Sequence, residues 1–91
     1  MSIKEKRKPD IFIHEDLTSL KNLVLFNDDY NTFDYVINTL IEVCGHGAHQ
    51  AETCAMIAHY KGKCVVKKGC FEELKQCFDE LSFRNLTVEI Q

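Results

Sequence analysis

An amide and two carboxylates, Asn27, Asp28 and Asp29, come directly after a short apolar run at residues 23–26. The pattern of an amphipathic helix begins only a few residues later, at Phe33. A strand end that lies beside a helix N-terminus gathers hydrogen-bond donors and acceptors of fixed direction at one mouth. Groups of this kind suit a small charged ligand, and an α-ammonium, which carries three donors, is the obvious candidate.

The composition limits the classes of function that this mouth could serve. Ninety-one residues make one small domain, and a net charge of −3 gives no basic field to hold nucleic acid. No apolar run approaches the roughly 20 residues that a membrane span needs. The first ten residues, MSIKEKRKPD, lack the apolar core of a signal peptide, so we expect a cytoplasmic protein that binds neither nucleic acid nor membrane.

Cysteine is plentiful in this chain, with five residues, Cys44, Cys54, Cys64, Cys70 and Cys77. An odd number without a secretory signal favours free thiols in the core over a disulfide framework. Zinc is the alternative, because Cys44 and His46 precede His49 and Cys54 around a glycine-rich turn. No CxxC pair supports a structural zinc site, so the sequence favours core thiols and leaves metal binding open.

Apolar periodicity and turn residues predict six elements in the order β-α-α-β-α-β. They are a strand at 23–26, a helix capped by Thr32 that runs to Cys44, a helix at 48–61, a strand at 63–67, a helix from Phe71 to Leu81 and a strand at 86–90. So few elements form an α+β fold of two layers, in which helices cover a small three-stranded sheet. Residues 21–91 form the predicted core, and the charged segment 1–20 is expected to be flexible.

The predicted second helix has one side rich in small residues. We expect that side to be buried and to consist of Ala51, Cys54, Ala55, Ala58 and His59. The many alanines indicate close approach to a neighbouring element.

Two motifs, NDDYNTFDYVINTL and AHYKGKCVV, followed by an acidic third helix, resemble the ClpS family of Clp protease adaptors. The resemblance covers about residues 21–89. Adaptors of this family bind proteins whose N-terminal residue is a destabilising one, following the N-end rule, and hand them to a Clp AAA+ unfoldase. The resemblance therefore implies an adaptor rather than an enzyme, with no cofactor. It also implies two kinds of partner, a Clp AAA+ ATPase of the ClpA or ClpC type and substrate proteins that carry an N-degron.

The same resemblance implies roles for particular residues. The groups that bind the α-amine fall on Asn27, Asp28 and His59. The hydrophobic pocket falls on Phe33, Val36, Ala55 and Ala58. The acidic residue that contacts the unfoldase falls on Glu72.

The chain departs from the usual bacterial pattern near this pocket. Asn31, Thr32 and Phe33 stand where the family commonly has Thr-Pro-Met, and Ala55 and Ala58 stand where it often has Met and Val. We expect a reshaped pocket that still prefers large apolar or aromatic first residues. In the third helix, Cys77 stands where the family has a basic residue.

Other interpretations of these residues have to be weighed. Asn27 and Asp28 are common turn formers and caps, and His59 is typical of a core or helix-terminal histidine. An enzyme with a Cys–His pair would need a thiolate-stabilising position, for which only Cys70 stands near a helix start, and that residue suits a cap. A domain similar to the C-terminal domain of a ribosomal stalk protein would lack the Asn-Asp-Asp-Tyr mouth. The remaining alternative is a ClpS-like interaction module that binds a different ligand.

Overall fold

The computed structural model describes residues 19–91, which form six elements in the predicted order. They are β1 (Lys21–Phe26), α1 (Phe33–Cys44), α2 (Ala48–Lys61), β2 (Lys63–Gly69), α3 (Phe71–Phe83) and β3 (Val88–Ile90). The predicted flexible segment, apart from its last two residues, lies outside the described residues. Within residues 19–91, none of the helices has the length and apolarity needed to cross a membrane.

The sheet places β1 in the centre, with β2 and β3 antiparallel on either side. Leu25 pairs with Cys64 of β2 and with Val88 of β3, which sets the register at the end of β1 that leads into the polar run. A central strand is buried on both faces when its apolar run is unbroken. Leu23, Val24 and Leu25 are indeed at most 3% exposed, so the predicted α+β sandwich is confirmed at its core.

The helices pack over the face of the sheet that carries Leu23 and Leu25. Leu40 of α1, together with Leu74 and Leu81 of α3, is fully buried in that cluster. The small side of α2 also joins the cluster, through Ala51, Cys54 and Ala58. Burial of one leucine contributes about 1.5–3 kcal/mol, so each of these leucines makes a substantial contribution to the stability of the domain.

Helix ends follow the local chemistry of the sequence. The Thr32 hydroxyl accepts the backbone N–H of Tyr35 at 3.1 Å, which caps α1 at the predicted residue. Gly45 and Gly62, with φ of 71° and 96°, close α1 and α2 in the left-handed conformation that glycine adopts without steric cost. Cys70 is the N-cap of α3, and its backbone N–H donates to Glu73 Oε1 at 3.2 Å.

The last strand is shorter than the sequence pattern predicts. It begins at Val88, because the backbone N–H of Leu86 donates to the carbonyl of Leu81 at 3.0 Å and so belongs to the turn after α3. Leu86 is nevertheless buried, which explains its place in the apolar pattern. The other differences are extensions: β1 begins at Lys21, β2 continues to Gly69 and α3 continues to Phe83.

All five cysteines are free thiols, but they are not all core residues. Cys54 is buried and the other four are half-buried. Burial raises the pKa of Cys44 to about 12, with a smaller contribution from the neighbouring thiol of Cys77. Burial also raises the pKa of Cys64 to about 12, and a hydrogen bond with Cys54 adds to the effect. Among residues 19–91, no three metal-ligating side chains converge on a shared position.

Candidate functional site

A pocket of about 360 Å³ opens where β1 ends, between the first turns of α1 and the last turns of α2. It is lined by Leu25, Phe26, Asn27, Asp28, Asp29, Asn31, Phe33, Val36, Ala55, Ala58 and His59. All seven residues that the resemblance assigns to the amine site and the apolar pocket line this one cavity, although they come from two helices and a loop. Its volume is at the small end of the range for ligand pockets, about 300–1,000 Å³, and suits one side chain and its attached amine.

The β1–α1 loop, residues 27–32, supplies the polar end of the pocket. Backbone contacts hold the start of this loop against α2, because the Asn27 N–H donates to the carbonyl of Gly62 at 2.9 Å. Gly62 directly follows α2, and His59 lies in the last turn of that helix. The hydrogen bond therefore brings Asn27 and His59 to the same mouth although they are 32 positions apart in the sequence.

The Asp28 carboxylate is fixed by hydrogen bonds within this loop. Its Oδ1 accepts the backbone N–H groups of Tyr30 at 3.0 Å and Asn31 at 2.9 Å, which is an Asx turn. The side-chain amide of Asn31 also donates to Oδ1 at 3.2 Å and to Oδ2 at 3.0 Å. Asp28 therefore forms the turn that the sequence analysis gave as an alternative role for this residue, and it also lines the pocket.

Three other polar side chains at the mouth keep their hydrogen-bonding capacity. In residues 19–91, the side chains of Asn27, Asp29 and His59 make no hydrogen bond or ion pair, and all three residues are exposed. An amide, a carboxylate and an imidazole in this state offer acceptors that water occupies until a ligand replaces it.

The apolar walls of the pocket combine small and large side chains. Ala55 and Ala58 are 3% and 4% exposed on α2, and Val36 of α1 is half-buried. Phe33 is 42% exposed, and its ring lies 5.6 Å from the imidazole of His59, centroid to centroid. The ring of Tyr60 also lies near His59, with 4.8 Å between the ring centroids and an interplanar angle of 85°. The small side chains of Ala55 and Ala58 leave the pocket open, and the rings of Phe33 and His59 form its rim.

The structure corrects the prediction that His59 belongs to the buried side of α2. Ala51, Cys54, Ala55 and Ala58 are buried as expected, but His59 is exposed at the rim. The reason is helical geometry: His59 follows Ala58 by one position, about 100° around the helix, so it faces the mouth rather than the sheet.

Four lining residues are outside the set assigned to the site, the apolar Leu25 and Phe26 at the end of β1 and the polar Asp29 and Asn31. Asp29 belongs to the Asn-Asp-Asp run that the sequence singled out, but the resemblance assigned it no role. Asn31 donates to the nearby Asp28 carboxylate and also to the carbonyl of Asn85 at 2.9 Å, 54 positions away, and no local pattern predicts that second contact.

Glu72, assigned to unfoldase contact, does not line this pocket. It is exposed in the first turn of α3, beside a shallow depression that Lys67, Gln76 and Cys77 also line. Cys77, at the position where the resemblance leads one to expect a basic residue, turns its thiol toward the carbonyl of Val43 at 3.9 Å. The contact role of Glu72 stays a prediction.

Comparisons of the sequence and of the structure with known proteins point to one family. Residues 18–85 match the family model of the ATP-dependent Clp protease adaptor protein ClpS. The ATP-dependent Clp protease adapter protein ClpS of Desulforapulum autotrophicum is 32% identical over 62 residues, covering 68% of this chain and 60% of that protein. The protein of the same name from Nitratidesulfovibrio vulgaris, strain DP4, is 34% identical over 55 residues, covering 58% and 53%. The matches thus span more than half, but under two thirds, of the length of these curated relatives.

A solved structure shares the fold over nearly its whole length. The structure of Agrobacterium tumefaciens ClpS2 bound to L-phenylalaninamide matches with a TM-score of 0.68 at 23% sequence identity. The match covers 79% of this chain and 94% of that chain. At this identity the likeness shows that the two chains have the same fold.

Proposed function

Because this chain belongs to the ClpS family of Clp protease adaptors, we propose that it captures proteins through a free N-terminal residue with a bulky apolar side chain. It then delivers them to a Clp AAA+ ATPase for degradation. The observation that carries the proposal is one pocket with a polar mouth, formed by Asn27, Asp28 and His59, above walls formed by Val36 and Ala55.

The polar mouth matches the chemistry of an α-ammonium. Such a group has three donors and a positive charge, and the mouth offers the carboxylates of Asp28 and Asp29, the amide oxygen of Asn27 and an imidazole nitrogen of His59. A hydrogen bond to a charged group contributes about 1.5–3 kcal/mol. Acetylation of the amine removes the charge and most of the donors, so the mouth distinguishes a free N-terminus from an internal peptide bond.

The apolar part of the pocket matches a single large side chain. Burial of one Leu or Phe side chain contributes about 1.5–3 kcal/mol, and the pocket volume of about 360 Å³ leaves room for such a group. The ligand in the related Agrobacterium structure, L-phenylalaninamide, combines an aromatic side chain with an α-amine. That ligand has the two features that this pocket is suited to bind.

The sum of these terms sets the expected affinity. The ammonium contacts and the buried side chain are offset by the loss of translational and rotational freedom on association. The remainder corresponds to dissociation constants of about 1–100 µM. An adaptor has to release its substrate to the unfoldase, and affinities in this range are compatible with such a transfer.

Delivery is assigned to surfaces outside the pocket. We assign contact with a ClpA- or ClpC-type ATPase to Glu72, which is exposed on α3, and to the charged segment at residues 1–20. In this proposal the ATPase supplies all the chemical work, and the adaptor needs no cofactor and catalyses no reaction.

Fluorescence anisotropy of labelled peptides tests substrate capture. Peptides that begin with Leu, Phe, Tyr, Trp, Arg or Ala are compared, each with a free and with an acetylated N-terminus. We expect binding of the bulky apolar first residues that is lost on acetylation and in Asp28→Ala. Asp34→Ala is the matched control, because Asp34 is an exposed carboxylate in the first turn of α1 that does not line the pocket. Failure of every peptide to bind would instead favour a ClpS-like interaction module with a different ligand.

A further inference from the structure

The side chain of Asn31 connects the polar mouth to a turn that is distant in the sequence. Its amide nitrogen donates to Asp28 Oδ2 at 3.0 Å and Oδ1 at 3.2 Å, and to the main-chain carbonyl of Asn85 at 2.9 Å. A side-chain amide has two N–H groups. One of them is therefore used on the carboxylate and the other on the turn between α3 and β3.

These bonds leave the two carboxylate oxygens of Asp28 in different states. Oδ1 accepts three hydrogen bonds, from the backbone N–H of Tyr30 and from the backbone and side chain of Asn31. Within residues 19–91, Oδ2 accepts only from the Asn31 amide. Since an ionised carboxylate oxygen has about two lone-pair sites, Oδ1 is saturated and Oδ2 retains acceptor capacity for a ligand.

The turn that accepts the second N–H of the Asn31 amide is held by its own backbone hydrogen bond. Asn85 has a φ of 71°, and its backbone N–H donates to the carbonyl of Ser82 at 2.9 Å. The same turn is also held to α1, because the hydroxyl of Tyr35 donates to the carbonyl of Arg84 at 2.8 Å. The turn therefore provides a main-chain anchor for Asn31, one that side-chain substitutions in the turn do not remove.

We infer that Asn31 is the positioning residue of the amine site, which holds the Asp28 carboxylate against the Asn85 turn so that Oδ2 receives the α-ammonium of the substrate. This inference rests on the proposed capture of N-terminal residues and adds the residue that orients its charged acceptor. Without the Asn31 side chain, Asp28 Oδ1 keeps the backbone N–H groups of Tyr30 and of residue 31 as donors. Oδ2 loses the Asn31 amide, its partner within residues 19–91, so the carboxylate can rotate about its Cβ–Cγ bond. Ligand binding then has to order a group that is ordered in advance in the native protein.

A double-mutant cycle on the full chain tests the inference, with a labelled peptide that begins with Phe. Asn31→Ala and Asp28→Ala are each expected to weaken binding roughly tenfold or more. If Asn31 acts through Asp28, Asn31→Ala has no further effect in the Asp28→Ala background, so the double variant binds like Asp28→Ala alone. Effects of the two substitutions that simply multiply would overturn the inference, because Asn31 would then act independently of the carboxylate.

A second comparison separates orientation of the carboxylate from general loosening of the loop. The peptide is made with a hydroxyl in place of its α-amine, which removes the charge and leaves the side chain unchanged. Asn31→Ala should reduce the preference for the amine over the hydroxyl, whereas a loosened pocket would weaken both ligands equally and contradict the inference. Asn31→Asp, which is the same size but lacks the donors and adds a like charge, should weaken binding at least as much as Asn31→Ala.

The control for the turn is Asn85→Gly. Glycine retains the main-chain carbonyl and tolerates the positive φ, so peptide binding should remain within about twofold of the native value. Native protein is measured first in the same assay. If it binds no peptide, both the proposed function and this inference fail; if it binds and Asn31→Ala binds equally well, the inference alone fails.

Discussion

The ring of Phe33 and the imidazole of His59 are 5.6 Å apart, centroid to centroid, with their planes at 53°. Phe33 is the first residue of α1 and His59 lies in the last turn of α2, so this contact spans the mouth of the pocket. Tilted aromatic pairs at this distance are attractive by about 0.5–1.5 kcal/mol. The pair therefore holds the rim of the pocket while leaving the imidazole nitrogens available to a ligand.

Removal of the Phe33 ring tests the role of this rim. Phe33→Ala should weaken binding of peptides that begin with Phe or Tyr by about 3–10-fold, because the substrate loses an aromatic contact and His59 loses its neighbour. Anisotropy titrations measure the change. Phe83→Ala is the control, since that ring is 82% exposed and does not line the pocket. Unchanged affinity in Phe33→Ala would show that the ring takes no part in binding.

The depth of the pocket depends on the small residues of α2. Ala55 is 3% exposed and lines the pocket, so Ala55→Met places extra atoms in the cavity. We expect peptides with an aromatic first residue to bind about tenfold more weakly, while those that begin with Leu lose less, because crowding of a filled site costs about 1–3 kcal/mol. The same panel of peptides measures this shift in preference.

Ala48→Met is the matched control for that substitution. Ala48 is exposed at the first residue of α2 and does not line the pocket, so the same change there should leave the preferences unaltered. If Ala55→Met binds the whole panel like the native protein, Ala55 does not set the depth of the pocket.

The sequence predicted most of the fold because the local signals agree with one another. The unbroken apolar run of β1, the Thr32 cap and the glycines after α1 and α2 each mark an element end that the structure contains. The predicted start of β3 was wrong. Leu86 is a buried apolar residue in the turn after α3, and the sequence pattern does not distinguish such a residue from one in a strand.

The candidate site was predicted less completely than the fold. Residue types and the family resemblance grouped Asn27, Asp28 and His59, and these three residues line one cavity. His59 is exposed because it lies one position, about 100° around the helix, from the buried Ala58. The alanine-rich pattern does not show where the buried side of α2 ends. The hydrogen bond from Asn31 to the carbonyl of Asn85 forms because two turns that are distant in the sequence meet in the fold, and no local sequence pattern predicts that contact.

The half-buried thiol of Cys44 predicts how the stability of the fold depends on alkaline pH. Its pKa is about 12 in the folded chain because burial disfavours the thiolate, against an ordinary value of 9.0. A group whose pKa is raised by folding contributes stability that is fully present below the unfolded pKa and lost as pH rises through the folded one. The free energy of unfolding should therefore decline from about pH 9 toward pH 12.

Urea unfolding in the presence of a reductant, from about pH 7 to about pH 11, measures this decline. Cys44→Ala should be less stable than the native chain at neutral pH, because it leaves a cavity, but should lose less stability on going to alkaline pH. Thr53→Ala, an exposed substitution on α2 that removes no thiol, should follow the native pH dependence. Parallel curves for the native chain and Cys44→Ala would contradict the assignment to this thiol.

Separation of capture from delivery is the prediction that concerns the whole adaptor. Removal of residues 1–20 removes no residue of β1, which begins at Lys21, and no residue that lines the pocket. Peptide affinity should therefore stay within about twofold of the native value, while degradation of a substrate with an N-terminal Phe by a Clp ATPase and its peptidase should be abolished.

Glu72→Lys provides an independent test of the same separation, because it reverses an exposed charge on α3 outside the pocket. It should preserve peptide binding and reduce delivery, whereas Glu89→Lys, an exposed charge reversal on β3, should affect neither. The two measurements are made on the same preparations, so a misfolded variant is recognised by its loss of peptide binding. Normal degradation with the truncated chain would show that the assigned roles are wrong and that the domain delivers its substrate through another surface.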